Sequence, residues 1–395
     1  MILVHATLLA VRYLAAHPVR AVVLVLGLAL ALGMPAFTLL AADRLEETLM
    51  ARAESSPVLI GHVGNEFDLT MSALYFRGEV RDPVPAGVAD TVRERGYGVA
   101  VPLHTGHSAG GGPLVGTTLD YFDQRGLVVA AGRRPAVLAE VVAGSKVAAE
   151  AGLKPGDHLR SDLTNLYNLA GSYPLVLQVV GVLEPTGTPD DGALFADVKT
   201  TWAIDGFLHG HTAVTQDNAL PIEGTVPSEP GEQENLEATA AIFLETEVTA
   251  ETLATFHLHG DPGELGVTAV LVWPKDDRAR DQLLGDEALE EVTRAVRPVE
   301  VVRTVLGIVL QVRDGLVAWF GLVAASTLAF VALVLSLSLR LRHAELTLIR
   351  RIGAARGTVT LLVGVEITLV LVVALAVAAA ATAGGMALLE GWIQG

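Results

Sequence analysis

Three long apolar runs interrupt an otherwise mixed chain. Residues 21–42 are uncharged over 22 positions, 315–339 are uncharged over 25, and 359–383 carry a single charge, Glu366. A helix of about 20 apolar residues crosses a hydrocarbon layer about 30 Å thick, so each run predicts a membrane-spanning α-helix. Residues 2–16, ILVHATLLAVRYLAA, are apolar with few polar interruptions. They read as a helix along the inner membrane surface that Pro18 breaks, or as a cytoplasmic extension of the first span.

The stretch between the first two runs has the shorter rhythms of a folded aqueous domain. PVLIGH (57–62), YGVAVPL (97–103), LVLQVVGVL (175–183), AAIFLE (240–245) and TAVLVW (268–273) predict strands. PAGVADTVRER (85–95) and GSKVAAEAGL (144–153) predict helices, with Gly and Pro punctuating segments such as LKPGDHL and LEPTGTPDDG. The polar, acidic segment 225–237 predicts a loop. From 281 to 314, apolar residues including Leu283, Leu284, Leu289, Val292 and Val296 follow helical spacing, and Pro298 divides them into two helices. The fold class expected is a membrane protein: three transmembrane α-helices, with a large α+β extracytoplasmic domain inserted between the first and second.

Charge orients this arrangement. Of 44 acidic residues, 40 lie between Asp43 and Glu300, with only 18 of the 27 Lys and Arg, so that segment carries −22 and the rest of the chain +5. Arg12 and Arg20 precede the first run, while Asp43, Glu46 and Glu47 follow it. Arg340, Arg342, Arg350, Arg351 and Arg356 crowd the segment between the second and third runs. By the positive-inside rule the N-terminus and that loop face the cytoplasm, and the acidic domain lies outside. The expected layout is a cytoplasmic or interfacial helix (1–20), first span (21–42), extracytoplasmic domain with stalk helices (43–314), second span (315–339), cytoplasmic loop (340–358), third span (359–383) and external tail (384–395). A signal peptide cleaved near Ala41 and Ala42 is the rival reading of the first run, which is longer than the usual apolar region of about 7–15 residues. The acidic balance argues against nucleic acid as a partner. There are no cysteines, so no disulfide staples the external domain, which at this size needs none.

No GxxxxGK[ST] phosphate loop occurs, so the chain does not bind nucleotide in that manner. The stretch HAELTLIRRIGAARGTVTLLVGVE (343–366) resembles the signature of FtsX-type permeases, through Glu345, Leu348, Ile349, Arg350, Gly353, Ala354 and the later Glu366. LIGHVGNEFDLTMSALYFRG (59–78), GPLVGTTLDYF (112–122) and AGLKPGDHLR (151–160) are similar to pieces of the MacB-type periplasmic core domain. The resemblance implies an ABC transporter permease of the MacB class in a bacterial inner membrane, for efflux or extraction of an extracytoplasmic substrate. It implies that the chain is not an enzyme and binds no cofactor, with ATP and Mg in a partner ATPase subunit. It also implies a second permease copy, and an adaptor or substrate-carrying protein on the outside. The loop, with Arg351 beside the matched residues, would be the ATPase-coupling element; the plainer reading is that its arginines set topology and bind lipid headgroups. The family usually has four spans, whereas this chain stops about 12 residues after the third. A short variant or a truncated chain explains that equally well. An FtsX-like regulator of an external partner, without transport, is the alternative.

Glu366 falls about two turns into the third span, where a charge is costly. Structural and coupling roles are both open to it, and Arg356, ten residues away, is too distant along a straight helix to pair with it directly. Ala29, Gly33 and the Ala- and Gly-rich 374–385 suit close helix packing, hence dimerisation. Histidines fall in pairs: His104 with His107, His209 with His211, and His257 with His259. With carboxylates such as Asp205 and Asp261 they suit a divalent metal only if separate loops converge. Surface histidines are the default, so no metal is assigned.

Overall fold

A computed structural model describes residues 2–78, 82–162, 174–210, 245–341, 347, 348, 351 and 356–393. In chain order it contains α1 (Ile2–Ala16), α2 (Pro18–Glu54), β1 (Val58–His62), α3 (Glu66–Tyr75), β2 (Val84–Pro85), α4 (Gly87–Glu94), β3 (Gly98–Ala109) and β4 (Gly112–Thr117). Next come α5 (Leu119–Arg125), β5 (Val129–Gly132), β6 (Glu140–Ala143), α6 (Ser145–Ala151), β7 (His158–Arg160), β8 (Val176–Leu183), β9 (Leu194–Asp197), α7 (Val198–Ile204) and β10 (Leu208–Gly210). The chain continues with β11 (Phe256–Leu258), β12 (Gly266–Val267), β13 (Ala269–Pro274), α8 (Asp277–Glu287), β14 (Thr293–Val296), α9 (Pro298–Leu341) and α10 (Arg356–Ile393). Two compact units result, one of residues 1–49 and 304–393, the other of residues 50–303.

The first unit is helical. Three of its helices, α2, α9 and α10, contain stretches long and apolar enough to cross a membrane. Helix α1 ends where His17 interrupts and Pro18 opens α2, a position where a missing N–H costs nothing. Leu24 and Leu28 of α2 pack with Val370 and Ala374 of α10, joined by Leu14 of α1 and by Val331 and Val334 of α9. The small residues lie at these seams. A Cβ on Gly33 would sit 3.5 Å from Ala378, and one on Gly385 would sit 2.9 Å from Phe37. Gly33 and the alanine-rich end of α10 therefore seat two helices of the same chain against each other. Most other large apolar side chains of these helices face outward, among them Leu30, Leu333 and Val372, as lipid-facing positions require.

The second unit is α+β. Its main sheet runs β14-β1-β13-β3-β4-β9-β6-β8-β5, with β7 also on β8. Pairing is antiparallel except for β4 with β9 and β6 with β8. Val58, Ile60, Ala100, Val270 and Val272 form one core with Ala89 and Val92 of α4 and Leu283 of α8. Leu114, Val141, Leu177, Val179 and Leu194 form the other with Val147 of α6. Helix α7 belongs to both, burying Trp202 in the first and Ala203 and Ile204 in the second. Asp197 caps it, accepting from the Lys199 N–H.

The strands expected near 57–62, 97–103, 175–183 and 268–273 are β1, β3, β8 and β13, and the two expected helices are α4 and α6. The helical reading of 281–314 needs correction. Helix α8 ends at Glu287, and residues 293–296 form β14. Antiparallel pairing with β1, Leu59 opposite Val296 and His62 opposite Thr293, overrides a local helical spacing. Helix α9 then begins at Pro298, the expected break. The expected loop 225–237 and residues 240–244 of the expected strand 240–245 lie outside the described residues.

Candidate functional site

Ion pairs join helices of the helical unit at two levels. At one, Arg20 near the start of α2 lies 3.5 Å from Glu366 of α10, whose side chain is buried. Arg20 also donates to the Tyr13 hydroxyl of α1 at 3.0 Å and lies over the Tyr13 ring. Glu366 thus pairs with a cation on another helix, as a carboxylate at that depth requires. At the other level, Arg44 of α2 lies 3.6 Å from Glu390 of α10, and Arg313 of α9 lies 3.4 Å from Asp43. The Arg20–Glu366 pairing was not legible beforehand, because its partners are 346 positions apart in the sequence. Of the coupling residues, Leu348 is exposed and Arg351 is exposed. Glu345, Ile349, Arg350, Gly353 and Ala354 lie outside the described residues.

The α+β unit contains a buried ionic network. Arg52, in the last turn of α2, donates to Asp190 Oδ2 at 2.6 Å and Oδ1 at 2.9 Å, to the Leu74 carbonyl and to Tyr121. The Tyr121 hydroxyl donates to Asp190 at 2.7 Å. Burial pushes the Asp190 carboxyl up, but the Arg52 charge and the hydrogen bonds from Arg52 and Tyr121 pull it below its ordinary value overall. Burial, and then the Asp190 charge, push the Tyr121 phenol up to about 12. The Asp190 of TPDDG looks from sequence like a turn residue. In the structure it stands inside a one-turn helix, Pro189–Gly192, capped by Thr188, whose side chain accepts from the Asp190 N–H.

Two clusters of potential metal ligands form, each within 4.8 Å: His104, His107 and Asp205, and His209, His257 and His259. The second arises from register, since His209 of β10 stands opposite His257 of β11, and His259 follows two residues on. His209 Nδ1 lies 3.0 Å from the Gly206 carbonyl and His257 Nδ1 3.2 Å from the Thr255 carbonyl. His257 and His259 are exposed. His211 lies outside the described residues, and Asp261 accepts from the Gly263 N–H within its own turn.

The first cluster is built around an irregularity. Residues three apart on a regular strand point to opposite faces, yet His104 and His107 both reach Asp205. Between them the pairing of β3 with β4 slips, from His104 opposite Gly116 to His107 opposite Leu114, and Gly106 adopts a φ of 108° that side chains rarely tolerate. Asp205, the residue ending α7, places Oδ1 3.2 Å from His107 Nε2 and Oδ2 3.5 Å from His104 Nε2. The Thr201 hydroxyl donates to the Val198 carbonyl at 2.7 Å, so it accepts from His104 Nδ1, 2.9 Å away. A Cβ on Gly116 would lie 2.2 Å from Thr201 Oγ1, so only glycine there lets Thr201 approach. Burial pushes the His104 imidazole down to about 4, against the opposing pull of Asp205.

No family model matches the chain, and no curated protein does. Among solved structures, the periplasmic region of MacB from Actinobacillus actinomycetemcomitans is similar to it at 13% identity, over 65% of this chain and 97% of that one, with a TM-score of 0.36.

Proposed function

We propose that this chain is the permease subunit of a MacB- or FtsX-type ABC transporter in a bacterial cytoplasmic membrane. A separate ATPase binds its cytoplasmic loop, and ATP-driven closure there moves the extracytoplasmic α+β domain to extract or export a substrate. The observation that carries this reading is the juxtaposition of three span-capable helices with an arginine-rich segment between the last two. That segment bears the FtsX-like run from Glu345 to Ala354, and the chain lacks any phosphate loop of its own. In this reading Leu348, Ile349, Gly353 and Ala354 form the apolar seat on the ATPase. Arg350 and Arg351 meet its acidic groups, and Glu345 orders the loop. Glu366, paired with Arg20, ties the third span to the first just above the loop.

The reading expects an ABC ATPase gene beside this one, and the test is co-expression with the ATPase that such a gene encodes. The full chain is expected to co-purify with that ATPase and to change its rate of ATP hydrolysis. Arg350→Glu with Arg351→Glu is expected to abolish both effects while leaving the permease folded in the membrane. An unchanged ATPase rate without co-purification would remove the proposal.

A further inference from the structure

We propose that His104, His107 and Asp205 form a binding site for a divalent first-row transition ion, with zinc the best match to its donors. Two imidazoles and one carboxylate, with no thiolate, suit such an ion rather than calcium or magnesium, which favour all-oxygen shells. Donor atoms about 2.0–2.1 Å from a tetrahedral ion are about 3.3 Å from one another. His107 Nε2 lies 3.2 Å from Asp205 Oδ1 and His104 Nε2 3.5 Å from Oδ2, each nitrogen near that spacing from its own oxygen, and the three donors all fall within 4.8 Å of one another.

Hydrogen-bond accounting supplies the second argument. Thr201 spends its only proton on Val198, so His104 Nδ1 carries a hydrogen and Nε2 of the neutral ring bears a lone pair. That lone pair faces a carboxylate oxygen, which also only accepts. Two acceptors held together in a largely buried place call for a cation between them. The Thr201 bond is also the outer support that metal-bound histidines carry, fixing tautomer and ring orientation. A surface accident would show none of these features. The slipped pairing at Gly106, the glycine at 116 that admits Thr201, and the end of α7 at Asp205 all serve this one convergence. A bound ion would clamp α7 to the β3–β4 pair, with a fourth position open to water or a small ligand.

The rival cation is a second proton on His104, which would give an ordinary ion pair with Asp205. Titration of the full chain in detergent with Zn(II) by calorimetry, and with Co(II) by visible absorption, separates the two. One ion per chain is expected. Asp205→Asn should weaken binding at least tenfold, and Thr201→Val, which removes a positioning residue, about 10–100-fold. The double change His257→Ala and His259→Ala should leave that ion in place. Melting of the metal-free proteins checks folding. If His107→Ala unfolds, Asp205→Asn, at a half-buried position, and Thr201→Val, which keeps the buried side chain's shape, carry the test. No saturable binding by the native chain, unchanged affinity in Asp205→Asn, or loss of the ion in the His257/His259 variant would each overturn the site.

Discussion

At the scale of single residues, the α+β unit encloses an ion pair between Arg52 and Asp190. The Arg52 side chain is 4% exposed and makes four hydrogen bonds to groups that are themselves buried or in main chain. Removing one member of a buried pair strands the other charge, at about 3–5 kcal/mol. Arg52→Met and Asp190→Asn are therefore each expected to lower the melting temperature sharply, while the joint change recovers part of the loss. Acid should act through the same pair. The folded Asp190 carboxyl ionises below its ordinary value, so its contribution is complete above the unfolded value of about 3.9 and drains away as pH falls through the folded one. Denaturation followed by circular dichroism from about pH 5 downward should show a steep loss for the native chain and a flatter one for Asp190→Asn. An equal slope in both would assign acid sensitivity to other carboxylates. Nothing in the local sequence around Asp190 or Arg52 announces this, because their pairing spans 138 positions.

At the scale of elements, legibility followed the reach of the forces. The spans, and strands such as β1 and β13, are long apolar runs whose burial is decided locally. Strand β14 was hidden because its place depends on β1, more than 230 residues away. The short strands β10 and β11 are likewise set by each other, and their pairing is what gathers His209 with His257. The small residues of the spans were legible as packing positions, but the partner they serve was not. Gly33 faces Ala378 of the same chain, and a Cβ on Gly27 would lie 3.8 Å from Thr327. This yields a graded expectation. Gly33→Ala adds a methyl at ordinary contact distance and should change little, whereas Gly33→Leu must part α2 from α10 and cost about 1–3 kcal/mol. Thermal unfolding in detergent would resolve the two. Equal stability of both variants would mean that the seam is looser than the contact distances state.

At the scale of the whole molecule, the ion pairs of the helical unit bear on how it lies in a membrane. Arg20 and Arg44 stand 24 residues apart on α2, about 36 Å along a helix, close to the depth of a hydrocarbon layer with part of its headgroup margins. Glu366 and Glu390 repeat the same separation on α10, pairing level with level, so α2 and α10 run parallel. Arg313 meets Asp43 while Val334 packs beside Leu24, so α9 runs the opposite way. Three crossings with alternating direction are what a chain must make to place its two arginine-rich segments on one side. In the proposed orientation the level of Arg20 and Glu366 faces the cytoplasm, as the positive-inside rule expects for the side that carries the arginine-rich segments. The chain has no cysteine, so single introduced thiols can report sidedness without background. In spheroplasts, a membrane-impermeant maleimide should label Glu150→Cys in α6 and Leu388→Cys near the end of α10, both exposed positions. Arg351→Cys should react only after the membrane is permeabilised. The reverse pattern would invert the orientation and place the acidic domain, with its −22 charge, in the cytoplasm, where the proposed coupling to an ATPase through the loop could not operate.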